Sequence, residues 1–247
     1  MIKEAIQAFI IDNNYAQFVP KAVLFDMDGV LYESMAFHAR AWKATADQYD
    51  IRSSQAEFYL YEGRTGYNTI DILVERTFGR LATQEEKEEI YAYKTSVFNE
   101  IDRSHPMQGA AAVVDKVCAS NLDRLVVTGS AQDSLIKKIC ESFPDAFDPK
   151  MMITANDVKH GKPHPEPYRR GLAKAKAKPY EAIAIENAPL GVESAVTAGI
   201  FTIAVNTGPL TETVLCAAGA DLIYPSMDAL AADWDAIMAT VAELNNQ

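Results

Sequence analysis

A rhythm in the second half of the chain limits the folds open to it. From residue 109 onward, short apolar runs over 125–128, 151–154, 182–185, 201–205 and 221–224 alternate with longer segments of helical periodicity. Those helical patterns cover 110–120, 131–142, 165–176, 189–198, 211–218 and 227–244. Strands joined by helices rather than by two-residue turns are spaced for crossover connections, so they predict a parallel sheet with helices on both faces. One further run, Ala22-Val23-Leu24-Phe25, stands far upstream and breaks at Asp26-Met27-Asp28-Gly29. It reads as the first buried strand, ending in a tight acidic turn. The expected fold class is α/β, a Rossmann-like doubly wound parallel sheet.

The hundred residues between the first strand and the second follow a different pattern. From about 34 to 104 the periodicity is helical, and Thr83 with Glu86 three residues on forms a capping-box signature. This stretch is expected to be a separate helical cap, rooted in linkers near 33–36 and 103–108. The predicted division is a core of residues 1–33 and 105–247 with the cap at 34–104. Ahead of the first strand, Ile2, Ile6, Phe9 and Ile10 fall at helical spacing, followed by a loop to Pro20.

A parallel sheet brings the carboxyl ends of its strands to one edge, where open α/β sheets bind ligands. The residues just past those ends are therefore the candidate site. Asp26 and Asp28 project to the same side of their strand, and two carboxylates held that close favour a cation between them or a shared proton. Hard-cation binding, with one carboxylate free as nucleophile or base, competes with an Asx turn that only bonds its own backbone. The second strand ends in Thr128-Gly129-Ser130, a set of hydroxyl and amide donors suited to a phosphate oxygen. After the third comes Gly161-Lys162-Pro163, and after the fourth Glu186-Asn187, a carboxylate and an amide oxygen. Each piece alone is weak; their order along successive strands is much harder to obtain by accident.

A formal charge of −11 argues against non-specific nucleic-acid or acidic-membrane binding. Cys118, Cys140 and Cys216 lack metal-type spacing and suit buried thiols in a reducing cytosol, so the expected location is cytoplasmic. No stretch approaches the apolar length of a membrane span. The expected partner is a small phosphorylated substrate, and the expected assembly a monomer.

Taken in order, these motifs resemble the haloacid dehalogenase-type phosphohydrolases, and among them the β-phosphoglucomutase-like group with a helical cap. The likeness spans roughly residues 21–225. It implies that Asp26 attacks phosphorus and that Asp28 acts as acid and then base. It further implies that Thr128, Gly129 and Ser130 hold the phosphoryl group and that Lys162 offsets its charge. Mg2+ would sit on Asp26, Asp28 and the Glu186–Asn187 corner. His38 falls where the family carries a hinge histidine, with Trp42 as a packed aromatic nearby; a purely structural His38 is an equal alternative.

Two departures from the family pattern matter. The usual pair of acids in the fourth motif is here Glu186-Asn187, which removes a negative charge. In the loop Tyr61-Glu62-Gly63-Arg64-Thr65-Gly66, Glu62 stands for the mutase's lysine and Gly66 for its substrate-gripping arginine. Glu62 is expected to bring the missing charge back with the cap, the alternative being a solvated loop carboxylate. Lys94 is the candidate contact for a distal phosphate. These loop residues are similar to those of a bacterial branch of the group that hydrolyses inorganic pyrophosphate. Pyrophosphate is therefore the first expected substrate and small sugar phosphates the second, with β-phosphoglucomutase activity and a metal-free dehalogenase as further alternatives.

Overall fold

The central strand β1 (Ala22–Phe25) is apolar at every position and buried on both sides. It lies between β2 (Asp123–Val127) and β4 (Ala182–Glu186), each paired parallel to it with Phe25 opposite Val126 and Ile185. Outside them run β3 (Met152–Ile153), β5 (Phe201–Val205) and β6 (Leu222–Tyr224), giving the order β3-β2-β1-β4-β5-β6, parallel throughout. These relations come from a computed structural model that describes residues 1–130 and 133–246. Of the helix expected over 131–142, residues 131–132 lie outside the described residues, as does residue 247.

Strand alternation divides the core in two. Val23, Phe25, Ile183, Ile185, Phe201 and Ile203 face one apolar layer. That layer is completed by helices α1 (Ile2–Asp12), α5 (Ala110–Ala119) and α10 (Met227–Asn245) through Ile6, Phe9, Val113, Val117, Trp234 and Ile237. Ala22, Leu24, Leu125, Val127 and Ala184 face the other. There α7 (Glu166–Ala175) and α8 (Pro189–Thr197) supply Tyr168, Leu172 and Ala195. The remaining core helices are α6 (Asp133–Ser142) and α9 (Glu212–Ala217). The N-terminal segment is an extra packed helix, with Phe9 against Phe18 and Phe201 and Lys3 Nζ 2.6 Å from Glu243 Oε1.

Between β1 and β2 come α2 (Met35–Gln48), α3 (Gly66–Phe78) and α4 (Gln84–Ile101), with one 3-10 turn at Ala56–Tyr59. They enclose an apolar cluster of their own that includes Ala39, Phe58, Ile70, Leu73 and Ile90. The capping box forms as expected: the Glu86 amide donates to Thr83 Oγ1 and the Thr83 amide to Glu86 Oε2. The loop ahead of α3 rests on the carboxyl edge of the sheet. A Cβ placed on Gly129 would meet the Gly63 carbonyl at 2.5 Å, and one on Gly161 would meet Thr65 Cγ2 at 2.7 Å. The site lies under this contact.

Candidate active site

Strand register builds the floor. The Asp26 amide donates to the Ile185 carbonyl at 2.9 Å, so its carboxyl group stands one residue beyond β1, beside Glu186 at the end of β4. Lys162 joins them: its Nζ lies 2.5 Å from Asp26 Oδ1, 2.6 Å from Glu186 Oε1 and 2.9 Å from the Val127 carbonyl. An ammonium has three hydrogens, and all three are engaged. The Tyr168 hydroxyl donates to the same Glu186 oxygen at 2.5 Å, and burial followed by the Glu186 charge pushes its pKa well up, so it stays a donor. Burial first, then the Glu186 carboxylate, raises Asp26, with Lys162 pulling it down. The same two carboxylates raise Lys162 against the effect of burial.

Asp28 heads a second chain of contacts. Its Oδ1 accepts from Ser34 Oγ at 2.5 Å and lies 3.2 Å from His38 Nε2, while His38 Nδ1 lies 2.8 Å from Lys94 Nζ. Lysine has only donors, so Nδ1 is the acceptor and Nε2 carries the hydrogen that it gives to Asp28. Burial, then the Lys94 charge, holds His38 below its ordinary pKa, which fits this neutral tautomer. Burial alone would raise Asp28, yet His38, Ser34 and Lys94 outweigh it and keep it below the usual carboxylate range. Lys94 is drawn down to about 8 by burial, with Asp28 opposing. Its ammonium also stands over the rings of Phe98 and Trp42, at 4.8 and 5.5 Å from their centroids.

Above the two aspartates is a cavity of about 70 Å3, lined among others by His38, Trp42, Glu62, Lys94, Gly129 and Ser130. At roughly 10–15 Å3 per water-sized group it holds about five to seven such groups. Thr128 lies buried at the strand end, its Oγ1 accepting from the Ser130 amide at 3.0 Å. Glu62 departs from a solvated loop carboxylate: both its oxygens are buried without a hydrogen-bond partner. Burial, then the charges of Asp28, Asp26 and Glu186, pushes it well above its ordinary pKa. Lys94, expected at a distal phosphate, lines the cavity but directs its Nζ to His38.

The donor set fits a hard divalent cation. Glu62 Oε1 and Oε2 and Asn187 Oδ1 are buried oxygens with no partner, next to the Asp26–Asp28 turn. Asp26, Asp28, Glu62 and Glu186 are four acids facing two ammonium groups, Lys94 and Lys162, so full ionisation of all four would leave two negative charges uncompensated, in line with the raised pKa of Asp26 and Glu62. Among the described residues no three His, Cys, Asp or Glu side chains cluster as a ready metal cage, so a cation here would also have to draw on neutral oxygens such as Asn187 Oδ1 and main-chain carbonyls. Glu186 already accepts from Lys162, Tyr168 and the Asn187 amide, and acts mainly by its charge.

Sequence reasoning did not single out Ser34, Tyr168 or Met35 as parts of this site. Only Ser34 carried a local signal, as the residue immediately before α2. Arg64, in the same loop two residues before Gly66, lines the cavity with its Nε buried and unpartnered and Nη1 2.8 Å from Asn68 Oδ1.

A parallel sheet with a buried acid–lysine cluster at its carboxyl edge and helices closing over it defines an α/β enzyme of hydrolase type. The profile of the "haloacid dehalogenase-like hydrolase" family matches residues 20–199, and the chain belongs to that family. Hexitol phosphatase A of Escherichia coli is similar at 31% identity, over 75% of this chain and 83% of that protein. β-Phosphoglucomutase of Bacillus subtilis is 24% identical over 76% and 84%. A solved Bacteroides vulgatus structure, provisionally described as a β-phosphoglucomutase, is 45% identical with a TM-score of 0.94, covering 98% of each chain.

Proposed function

We propose that this enzyme is a Mg2+-dependent phosphohydrolase that works through an aspartyl-phosphate on Asp26, with residues 34–104 as its cap. The observation that carries the reading is the Asp26–Lys162–Glu186 cluster beneath the cavity, with Asp28 alongside on its own network of donors. Lys162 takes one oxygen of Asp26, and the other is the nucleophile. It bonds to phosphorus as the bond to the leaving oxygen breaks; Asp28, ionised in the empty site, takes up a proton from solvent as the anionic substrate enters beside it and then gives that proton to the leaving oxygen. Ser34 and His38 both engage Asp28 Oδ1, leaving Oδ2 as the oxygen that carries the proton. Water then attacks the phosphorus, Asp28 takes its proton back, and orthophosphate leaves with Asp26 restored. Thr128, Gly129 and Ser130 bind the phosphoryl oxygens while Lys162 balances their charge. Asp26, the Asp28 main-chain carbonyl, the Glu186–Asn187 corner and Glu62 would hold magnesium, which supplies positive charge to the phosphoryl group.

The small cavity supports a small substrate, with inorganic pyrophosphate first. Gly66 adds to this, because the Tyr91 ring fills the space where a side chain would stand, with Cε2 2.1 Å from a Cβ built there. The relatives named for hexitol phosphate and phosphoglucomutase chemistry favour small sugar phosphates as the second reading. Phosphate release from pyrophosphate, hexitol and hexose phosphates, with and without Mg2+, separates the two. Loss of all activity in Asp26→Asn is expected. A tenfold or greater preference for hexose phosphates overturns pyrophosphate, and conversion of β-glucose 1-phosphate to glucose 6-phosphate without phosphate release would sink hydrolysis itself.

A further inference from the structure

Asn187 has two different ends, and only one of them suits a cation. Its Oδ1 is buried and unpartnered, while its Nδ2 lies 2.8 Å from the sulfur of Met35, the first residue of α2. A thioether sulfur accepts and cannot donate, so the NH2 end belongs against it. Turned over, the amide would set oxygen lone pairs against sulfur lone pairs and offer its NH2 to the acids of the site instead of an oxygen to a cation. Met35 is itself held tightly. It is 8% exposed, its sulfur lies 2.5 Å from where a Cβ on Gly29 would stand, and its methyl lies 3.2 Å from one on Gly208. Gly29, at φ +84°, leaves room for both side chains at once.

We infer that Met35 is a positioning residue that sets the amide of Asn187 oxygen-first toward the magnesium site, so that the neutral ligand and the methionine act as a matched pair. The inference rests on the magnesium reading above. It also explains how a site with asparagine in place of an acid keeps a usable ligand: orientation does for Asn187 what symmetry does for an aspartate, whose two oxygens are equivalent.

Calorimetric titration of the purified full-length protein with MgCl2 tests this through four proteins: wild type, Met35→Leu, Asn187→Asp and the double variant. Leucine keeps the volume but offers no acceptor, so Met35→Leu is expected to weaken Mg2+ binding roughly tenfold or more, the usual cost of losing a ligand's orienting partner. In the Asn187→Asp background the same change is expected to alter the Kd less than about twofold, because neither carboxylate oxygen needs choosing. Met35→Gln, whose Oε1 accepts a hydrogen bond, is expected to bind within a few fold of wild type and serves if the leucine variant folds poorly. Equal binding by wild type and Met35→Leu overturns the inference, as does an equal loss in both backgrounds. A wild-type protein that does not bind Mg2+ at millimolar concentration overturns the magnesium reading and this inference with it.

Discussion

Lys162→Met keeps the length of the side chain and removes its charge. The ammonium sits 2.5 and 2.6 Å from two carboxylates, with side-chain exposures of 1% for Lys162, 5% for Asp26 and 1% for Glu186. At an effective dielectric constant of about 20, each contact carries roughly 6 kcal/mol of Coulomb attraction. Desolvating three ions cancels most of that, so the triad's net contribution is small. Its removal is another matter, since two buried carboxylates are left without a cation. Breaking such a pair costs about 3–5 kcal/mol. For a chain of this size that corresponds to a fall in Tm of roughly 6–20 °C. The loss must depend on pH. Without Lys162 the folded Asp26 rises further above the unfolded carboxylate range near about 4, so the folded variant binds more protons than the unfolded chain. Its stability therefore falls as pH rises, and its deficit relative to wild type is larger at pH 8.5 than at pH 5.5. Thermal melts at both pH values in EDTA, repeated with MgCl2, read this directly, with the added cation expected to recover part of the loss. A deficit below about 1 kcal/mol, or one unchanged between the two pH values, would refute the argument that Lys162 is the charge that lets both acids be buried.

Two further tests concern stability alone. Asp221 is raised to about 7, by burial first and then by Asp12, while the Thr202 amide still donates to it at 2.6 Å. Its ionisation penalty is absent below the unfolded carboxylate range, grows toward pH 7 and is complete above it. Asp221→Asn should match wild type near pH 4 and be the more stable protein at pH 8, by at most about 4 kcal/mol in urea melts; no gain at pH 8 would count against the assignment. Gly66→Ala improves helix propensity by about 1 kcal/mol, yet its Cβ falls 2.1 Å from the Tyr91 ring. A net loss of roughly 1–3 kcal/mol in urea melts is expected, and a gain would show that the ring yields freely.

The sheet was legible because strands buried on both faces are apolar at nearly every position, as β1, β4 and β5 are. Even β3, only two residues long, fell inside its expected run. The floor of the site followed, since a parallel sheet puts Asp26, Thr128 and Glu186 on one edge whatever else happens. What lies above the floor was not readable in the same way. The Lys94–His38–Asp28 chain joins residues 56 and 10 positions apart through the packing of α4 on α2. Neither helix periodicity nor composition encodes which buried lysine meets which histidine. Tyr168 escaped for a similar reason: from sequence it is one more apolar position on α7, and only the crossing of that helix over β1 and β2 brings its hydroxyl to Glu186.

The joint between the loop at 61–66 and the sheet edge is made largely of main chain, because Gly63, Gly129 and Gly161 all sit where a side chain would collide. Adhesion between protein surfaces comes mostly from apolar area removed from water, at about 25 cal/mol per Å2, and glycine contributes little of it. Such a seam fits closely without sticking. Its hold on the sheet edge rests on closeness of fit, while the apolar adhesion of the same helical segment to the core is made elsewhere, through Phe37, Ala41, Val97 and Phe98.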